Sequence, residues 1–376
     1  MKTPILKITH ILYSGLGGVN DVCNILGKMD KKIFTNTSFI QVGPKRFVKS
    51  VSNKKQKTDF VKTYRFLSFY FFISVLKKII SQKPNLIFVH NFQVLPAVLY
   101  KIILNHKLKL VYVDHSPYPL KSYKDFFLNK IFNRFIDLYI VLNKDNYKYF
   151  SKKIKINSKK INIIPNSVSQ NFIKNTNKRK SIKKTIFFGM AARMNFQKRH
   201  DLIINAIEHN LLKDLDVKVY FAGSGENVQY LKQKIKNKKK FKFFNNLDHQ
   251  NLKEWYSKLD CYIQATNGEG HSTSILQAMG MNLPILASNV SGIKNFLSPQ
   301  KNIGITFENN QTSLVKTIKY FISLSKLKKD RIIVSQKKYI LTKYTEAIFL
   351  KKYEKIINEL IFLKNSTRIV NFKHKR

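Results

Sequence analysis

Short apolar, β-branched or aromatic runs alternate along this chain with longer stretches of helical period. ILKITHIL (5–12) is the first such run, and it ends in SGLGGVN. NLIFVHNF (85–92) and KLVYVDHS (109–116) each close near a histidine, and LYIVLN (138–143) and INIIPNS (161–167) follow. Between them lie helical stretches such as YRFLSFYFFISVLKKII (64–80), read as a core-facing helix with lysines towards its C-terminal end. Strands buried on both faces read as near-continuous apolar runs, and strand–helix alternation predicts parallel sheets with helices on both faces.

After IPNSV (164–168) comes QNFIKNTNKRKSIKK, polar and basic with no apolar period. A domain boundary is expected there, giving an N-terminal domain at 1–172 and a second at 173–345. Residues 346–376 are read as a helix crossing back to the first domain, followed by a frayed basic tail. The strand–helix pattern restarts with TIFFGMAA (185–192), then VKVYFAGSG (217–225), FKFFNN, DCYIQAT (260–266) and PILASN, with helical segments between. The predicted fold class is therefore α/β, with two tandem Rossmann-like doubly wound domains. VSNKKQKTD (51–59) is expected to be a mobile loop. In such sheets ligands bind beyond the carboxyl ends of the strands, so the residues just after each strand are the candidates.

Composition adds one unusual feature. Lys and Arg number 69 against 21 Asp and Glu, a formal charge of +48. Such a field attracts polyanions, whether nucleic acid, an anionic membrane or phosphate-bearing substrates. Abundant Lys, Asn, Ile, Phe and Tyr equally fit compositional bias, with Lys filling solvated surface. No nucleic-acid-binding motif accompanies the charge, which is scattered rather than striped. The two cysteines, Cys23 and Cys261, sit among apolar residues and are expected to be buried thiols. The N-terminus lacks a signal-peptide pattern, and FLSFYFFISVL (66–76) is too short to span a bilayer. A cytoplasmic protein is expected, at most peripheral on the inner face of the membrane.

The strand ends carry the candidate chemistry. Gly15, Gly17 and Gly18 follow the first strand, where glycines let backbone N–H groups approach a phosphate or a sugar. The third glycine of GxGxxG is missing, and no GxxxxGK[ST] is present. Arg193 and Lys198, spaced R-x4-K, follow TIFFGMAA and could converge on one diphosphate, or could be solvated surface. AGSGE (222–226) closes another strand, with Gly223 in it and a plain turn as the simpler reading. In NGEGHSTSILQAMG (267–280), Glu269 precedes a helix whose first N–H groups, at His271, Ser272 and Thr273, could face a ligand. Gln277 lies eight positions after Glu269, about 80° round a helix, so the two share a face only if Glu269 precedes the helix.

Taken together, GGVN, IPNSV, GMAARMNFQK, FAGSGE and GEGHSTSILQAMGMNLPILASNVSGI resemble the retaining GT-B glycosyltransferases of family 4, the group 1 transferases, over nearly the whole chain. The resemblance implies a GT-B fold with an interdomain cleft, and sugar transfer from a nucleotide-diphosphate sugar to a glycan or lipid-linked acceptor, as in surface polysaccharide synthesis. It implies that Arg193 and Lys198 bind the diphosphate, that Glu269 is the first glutamate of E-x7-E and holds the donor sugar, and that His115 lies near that sugar. Gln277 stands where the second glutamate usually grips the ribose; a carboxamide accepts through one atom and donates through the other. The nucleotide sugar would be a co-substrate, with no cofactor and no metal, since the basic pair can supply the electrostatics. The basic segments PKRFVK and NKKQK are read as possible contacts with an anionic membrane. A GT-B enzyme of another reaction, such as an epimerase, is the nearest alternative. A basic nucleic-acid-binding protein and an inactive binding homologue are the others.

Overall fold

The computed structural model describes residues 6–13, 17–29, 35–43, 57–62, 69–91, 94–173, 185–297 and 302–361. These form two compact units. One gathers the described residues within 1–116, 121–165 and 346–361, and the other gathers 117–120 and 166–345.

In unit 1 the strands are β1 (Leu6–Tyr13), β2 (Thr35–Gly43), β3 (Lys57–Lys62), β4 (Leu86–His90), β5 (Lys109–Asp114), β6 (Leu138–Val141) and β7 (Ile161–Ile163). They pair in the order β3-β2-β1-β4-β5-β6-β7, all parallel. The central strands β4 and β6 are buried throughout, which explains their unbroken apolar sequence. One face of this sheet packs through Ile8, Phe88, Val111, Val113 and Ile140 against the helix Glu346–Ile361, which contributes Phe349, Leu350, Tyr353, Ile356 and Ile357. Each fully buried side chain of this size contributes about 1.5–3 kcal/mol, so the C-terminal helix is an integral layer of unit 1.

Unit 2 contains β8 (Ile186–Ala191), β9 (Val217–Ala222), β10 (Phe241–Phe244), β11 (Cys261–Gln264), β12 (Ile285–Ser288) and β13 (Ile305–Phe307). Their order is β10-β9-β8-β11-β12-β13, again all parallel. Both faces are covered. Cys261, Ile263 and Leu286 enter one core, while Tyr262, Ile285 and Ala287 enter the other. Period-two alternation of side-chain direction sends neighbours to opposite layers. Both sheets contain the doubly wound order in which the chain reverses direction between the first strand and the fourth. In unit 2 this switch point lies between β8 and β11, and in unit 1 between β1 and β4. The fold class read from the sequence is the one observed.

Two details differ from the sequence reading. The unit boundary falls at 165/166 rather than 172/173. Val168 bridges to Thr345, Asn166 Nδ2 donates to the carbonyl of His271 at 2.8 Å, and Phe172 is fully buried in the unit 2 core. Residues 57–59, expected in a mobile loop, belong to β3. An edge strand carries polar residues on its open side, and Asp59 accepts from Lys78 at 3.1 Å and Gln82 at 2.7 Å. In the stretch 64–80 the described residues, from Phe69 on, are helical as expected, in a helix that runs Phe69–Gln82 with Phe71, Val75 and Ile79 turned inward. The segments 44–49 and 53–56, and the tail beyond 361, lie outside the described residues. No helix among the described residues is long and apolar enough to cross a membrane, and Cys23 and Cys261 are buried free thiols.

Candidate active site

The polar residues of unit 2 gather at its switch point. After β8 the chain makes a tight turn, Phe196–Lys198, in which the Asn195 side chain accepts from the Lys198 amide at 3.2 Å. After β11 it runs through residues 265–272 into the helix Thr273–Gly280. Hydrogen bonds tie the two loops together. The Asn267 amide donates to Gln197 O at 2.9 Å, and Gln197 Nε2 donates to Gly268 O at 3.1 Å. The side chains then meet, with Lys198 Nζ in an ion pair with Glu269 Oε1. These side chains are 18% and 11% exposed, which leaves the pair within reach of a ligand yet largely out of water. The β8–β11 join thus carries one cation and one carboxylate, one from each flanking loop.

Glu269 is held from behind. Gln264 Nε2 donates to Glu269 Oε1 at 3.1 Å. The carbonyl oxygen of Gln264 accepts from Tyr262 Oη at 2.8 Å and Ser274 Oγ at 3.3 Å. The amide is therefore satisfied at both ends, and its orientation follows from its neighbours. Burial pushes the Tyr262 phenol well up, so it stays a donor. The Glu269 amide donates to Ser291 O at 3.1 Å. Behind its carbonyl, Gly292 sits at φ +82°, where an added Cβ would lie 1.9 Å from Glu269 O. Only glycine permits this approach.

The other predicted residues divide. Ser272 caps the helix, accepting from the Ile275 amide at 3.3 Å. Thr273 opens it half-buried. Glu269 precedes the first turn, as the spacing to Gln277 required. The His271 ring stacks on Tyr344 at 5.1 Å and meets the edge of Phe296 at 4.9 Å, and its carbonyl accepts from Asn166, so this residue is packed into the unit 2 core rather than turned to a ligand. Gln277 is buried, with Oε1 accepting from Tyr256 Oη at 3.2 Å. Gly223 adopts φ +135°, and a Cβ there would come 2.2 Å from Ala192 O; this close crossing of two strand-end loops accounts for the glycine. Arg193 follows β8 exposed, with no ion pair from its side chain among the described residues. In unit 1, Gly17 (φ +144°) accepts from the Asn20 amide at 3.0 Å, and Gly18 starts the helix Gly18–Leu26. Gly15 lies outside the described residues. His115 follows β5, half-buried, with burial lowering its pKa to about 4. Among the described residues no cluster of three or more His, Cys, Asp or Glu could hold a metal ion.

Comparison with known proteins agrees with this layout. The Glycosyltransferase Family 4 model matches residues 44–172, and the model for Glycosyl transferases group 1 matches residues 171–338. The chain belongs to the family 4-like GT-B glycosyltransferases. The group 1 match contains the Lys198–Glu269 site. Protein CapJ of Staphylococcus aureus is 28% identical over 63% of this chain and 60% of its own length. The O-antigen biosynthesis glycosyltransferase WclY of Escherichia coli is 28% identical over 60% of this chain and 62% of its own. The matched part thus spans about three fifths of these relatives. The structure of Anabaena HepE in complex with UDP and glucose superposes with a TM-score of 0.80 at 15% identity, covering 94% of this chain and all of that one. It shows the same fold.

Within this family 4-like chain, Gln264 and Tyr262 are the site residues that sequence reading missed. A polar residue inside the apolar run DCYIQAT was the available signal. Gly292→Ala should cost about 1–3 kcal/mol, the scale of a non-glycine residue forced into a sparsely populated backbone region, because Glu269 O must move. Thermal unfolding checks this: a lowered Tm is expected, and an unchanged one contradicts the close approach.

Proposed function

We propose that the protein transfers a sugar, with retention, from a nucleotide-diphosphate sugar to a hydroxyl of a glycan or lipid-linked glycan acceptor. The observation that carries this reading is the Lys198–Glu269 pair at the unit 2 switch point, on a helix-opening loop. Lys198 has three donors, of which Glu269 takes one, so it is able to stabilise a diphosphate while the pair persists. Glu269, backed by Gln264, is a fixed acceptor for sugar hydroxyls. Arg193, which has no ion pair from its side chain among the described residues, is a second cation for the diphosphate. HepE's complex with UDP and glucose supports a nucleotide sugar as donor, and WclY's role in O-antigen biosynthesis supports a surface polysaccharide as product.

In the proposed step the acceptor oxygen approaches the anomeric carbon on the face the leaving group departs from. The bond from that carbon to the diphosphate oxygen breaks, and the bond to the acceptor oxygen forms. The acceptor proton passes to the departing phosphate. Negative charge grows on that phosphate, and preorganised cations and helix-end N–H groups stabilise it more than they stabilise the ground state. Lys198 thereby does work that a metal does in other transferases. Lys198→Ala should lower kcat by ~10²–10³, the scale of losing one preorganised donor, and wild-type turnover should persist in EDTA. An unchanged kcat would remove Lys198 from the mechanism, and strict metal dependence would overturn the electrostatic assignment.

Peripheral membrane association is part of the proposal, and the helix Tyr123–Phe132 of unit 1 supports it. Tyr123, Phe127 and Ile131 are 95%, 63% and 43% exposed. At about 100° per residue they share an arc of about 80°, with Lys124 and Lys130 at its two edges. Asp125 lies on the opposite side, where its carboxylate accepts from the Ser122 amide at 2.8 Å. An aromatic and aliphatic stripe bordered by lysines fits the interface of an anionic bilayer, with rings at headgroup depth and ammonium groups on the phosphates. The basic segments PKRFVK and NKKQK fall almost wholly outside the described residues, so this face carries the membrane reading in their place. Wild-type protein should sediment with vesicles containing anionic lipid at low salt, and Tyr123→Ser/Phe127→Ser should lose most of that binding. Absence of wild-type binding, or equal binding by the variant, would end the membrane assignment.

A further inference from the structure

Unit 2 has a cavity of about 250 Å³ that the proposed chemistry does not use. It lies beside the loop after β8, and neither Lys198 nor Glu269 lines it. Backbone bonds between the loops after β8, β9 and β11 make its frame. The Met194 amide donates to Ser224 O at 3.0 Å, the Asn227 amide to Met194 O at 3.0 Å, and the Asn267 amide to Gln197 O at 2.9 Å. Gly225 permits the first crossing, because an added Cβ there would lie 2.2 Å from Met194 O. The walls therefore stand before any ligand arrives, as is usual for small-molecule sites.

The lining carries no net charge, in a chain of formal charge +48. Arg199 and Asp201 pair with each other, Nε to Oδ1 at 3.2 Å and Nη2 to Oδ2 at 3.2 Å. Burial lowers the pKa of His200 to about 3; the charge of Lys198 adds to this, while Asp201 and the Lys198 backbone oppose it, and the ring is neutral near pH 7. The other lining residues are uncharged. A phosphate would have to displace Asp201 from Arg199, with no second cation on the wall to help. The cavity is thus unsuited to the polyanions that the rest of the composition favours.

What it offers is neutral hydrogen bonding beside an aromatic rim. Asn227 is 7% exposed and precedes the helix Val228–Lys234, yet its side chain does not cap that helix. Its carboxamide has no hydrogen bond among the described residues, a costly state for a buried polar group unless a ligand or water meets it. Asn195 and Asn267 use their side-chain oxygens on the Lys198 amide at 3.2 Å and on Asn309 Nδ2 at 2.8 Å, which leaves each Nδ2 as a donor. At the rim Phe196 and Tyr230 are 70% and 45% exposed, with ring centroids 6.1 Å apart and planes at 48°. Carboxamides suit hydroxyls, which both donate and accept. The electron-rich face of an aromatic ring suits the polarised C–H bonds of a sugar. A flat nucleobase would want parallel walls, which these two rings do not form. Small-molecule pockets run to roughly 300–1,000 Å³, so this smaller cavity suits a single saccharide ring.

We propose that this cavity binds one neutral pyranose unit of a glycan, with Phe196 and Tyr230 against its C–H face and Asn195, Asn227 and Asn267 on its hydroxyls. The site holds a saccharide beside the loops that carry Lys198 and Glu269 without using either side chain. Binding is a property of unit 2 alone; that the saccharide belongs to the glycan being extended rests on the reading given above.

Saturation-transfer NMR on the full chain tests this, with the methyl pyranosides of glucose, galactose, mannose and N-acetylglucosamine as probes. At least one should bind with millimolar affinity, as expected of a small ligand with few contacts. Phe196→Ala/Tyr230→Ala removes only exposed rings, so Tm should hold while binding weakens several-fold. Asn227→Ala should weaken it as well. A saturating nucleoside diphosphate should leave the pyranoside signal in place. The proposal is overturned if none of the four binds, if the rim variant binds as wild type does, or if the diphosphate displaces the sugar. Uridine or adenosine binding with the same dependence on the rim would also overturn it, in favour of a base site. If a pyranoside binds as stated but no sugar transfer occurs, the reaction assignment fails and this site stands; if transfer proceeds and no pyranoside binds, this site alone fails.

Discussion

One ion pair organises the chemistry of unit 2. Lys198 and Glu269 come from loops after β8 and β11, strands that neighbour each other only because the sheet order reverses at that point. Opposite charges placed at a partly dehydrated strand end attract more strongly than in bulk water. They also need partners when no ligand is bound, or their desolvation is uncompensated. The pair supplies each with the other. Gln264, Tyr262 and Ser274 then fix the carboxylate's direction, and Gly292 lets the neighbouring backbone pass beneath it. The free protein thus holds a carboxylate and an ammonium in place before any substrate arrives, so little reorganisation is left for the reaction.

The two sheets apply the same topology to different ends. In unit 2 the switch point brings charged groups together. In unit 1 it brings together neutral ones, the rings of His10 and His90, with His115 one strand further on. Of the many basic residues, the proposed site uses Lys198 and Arg193, and the proposed membrane face uses the lysines bordering the Tyr123–Phe132 helix.

Much of this was legible in the sequence because buried parallel strands have an unmistakable composition. LIFV, LVYV and LYIV cannot be satisfied on a surface, and their alternation with helical runs implies the doubly wound order. β2, β3 and β13 were less visible. β3 lies at a sheet edge, where polar residues are admitted, and β13 spans three residues. The boundary was misplaced by seven residues because QNF looks like a polar linker, although Phe172 is fully buried. Glu269 and Lys198 were singled out from their motif, and the structure brings their side chains together. Gln264 was not, because one polar residue in an apolar strand looks like an exception until its partners are known. His90 was read as structural, and its bonds to His10 and His115 exist only through strand register.

The central claim is that unit 2 holds a diphosphate through Lys198 and a sugar through Glu269. Thermal-shift measurements with nucleoside diphosphates and the corresponding nucleotide sugars test it most directly, because a ligand that binds the native state raises Tm by mass action. The account predicts that at least one nucleotide sugar stabilises the wild-type protein more than its bare diphosphate does, and that Glu269→Gln abolishes this increment while keeping the diphosphate's own effect. If no nucleotide shifts the wild-type Tm, or if Glu269→Gln retains the full sugar increment, the site is not what its geometry suggests.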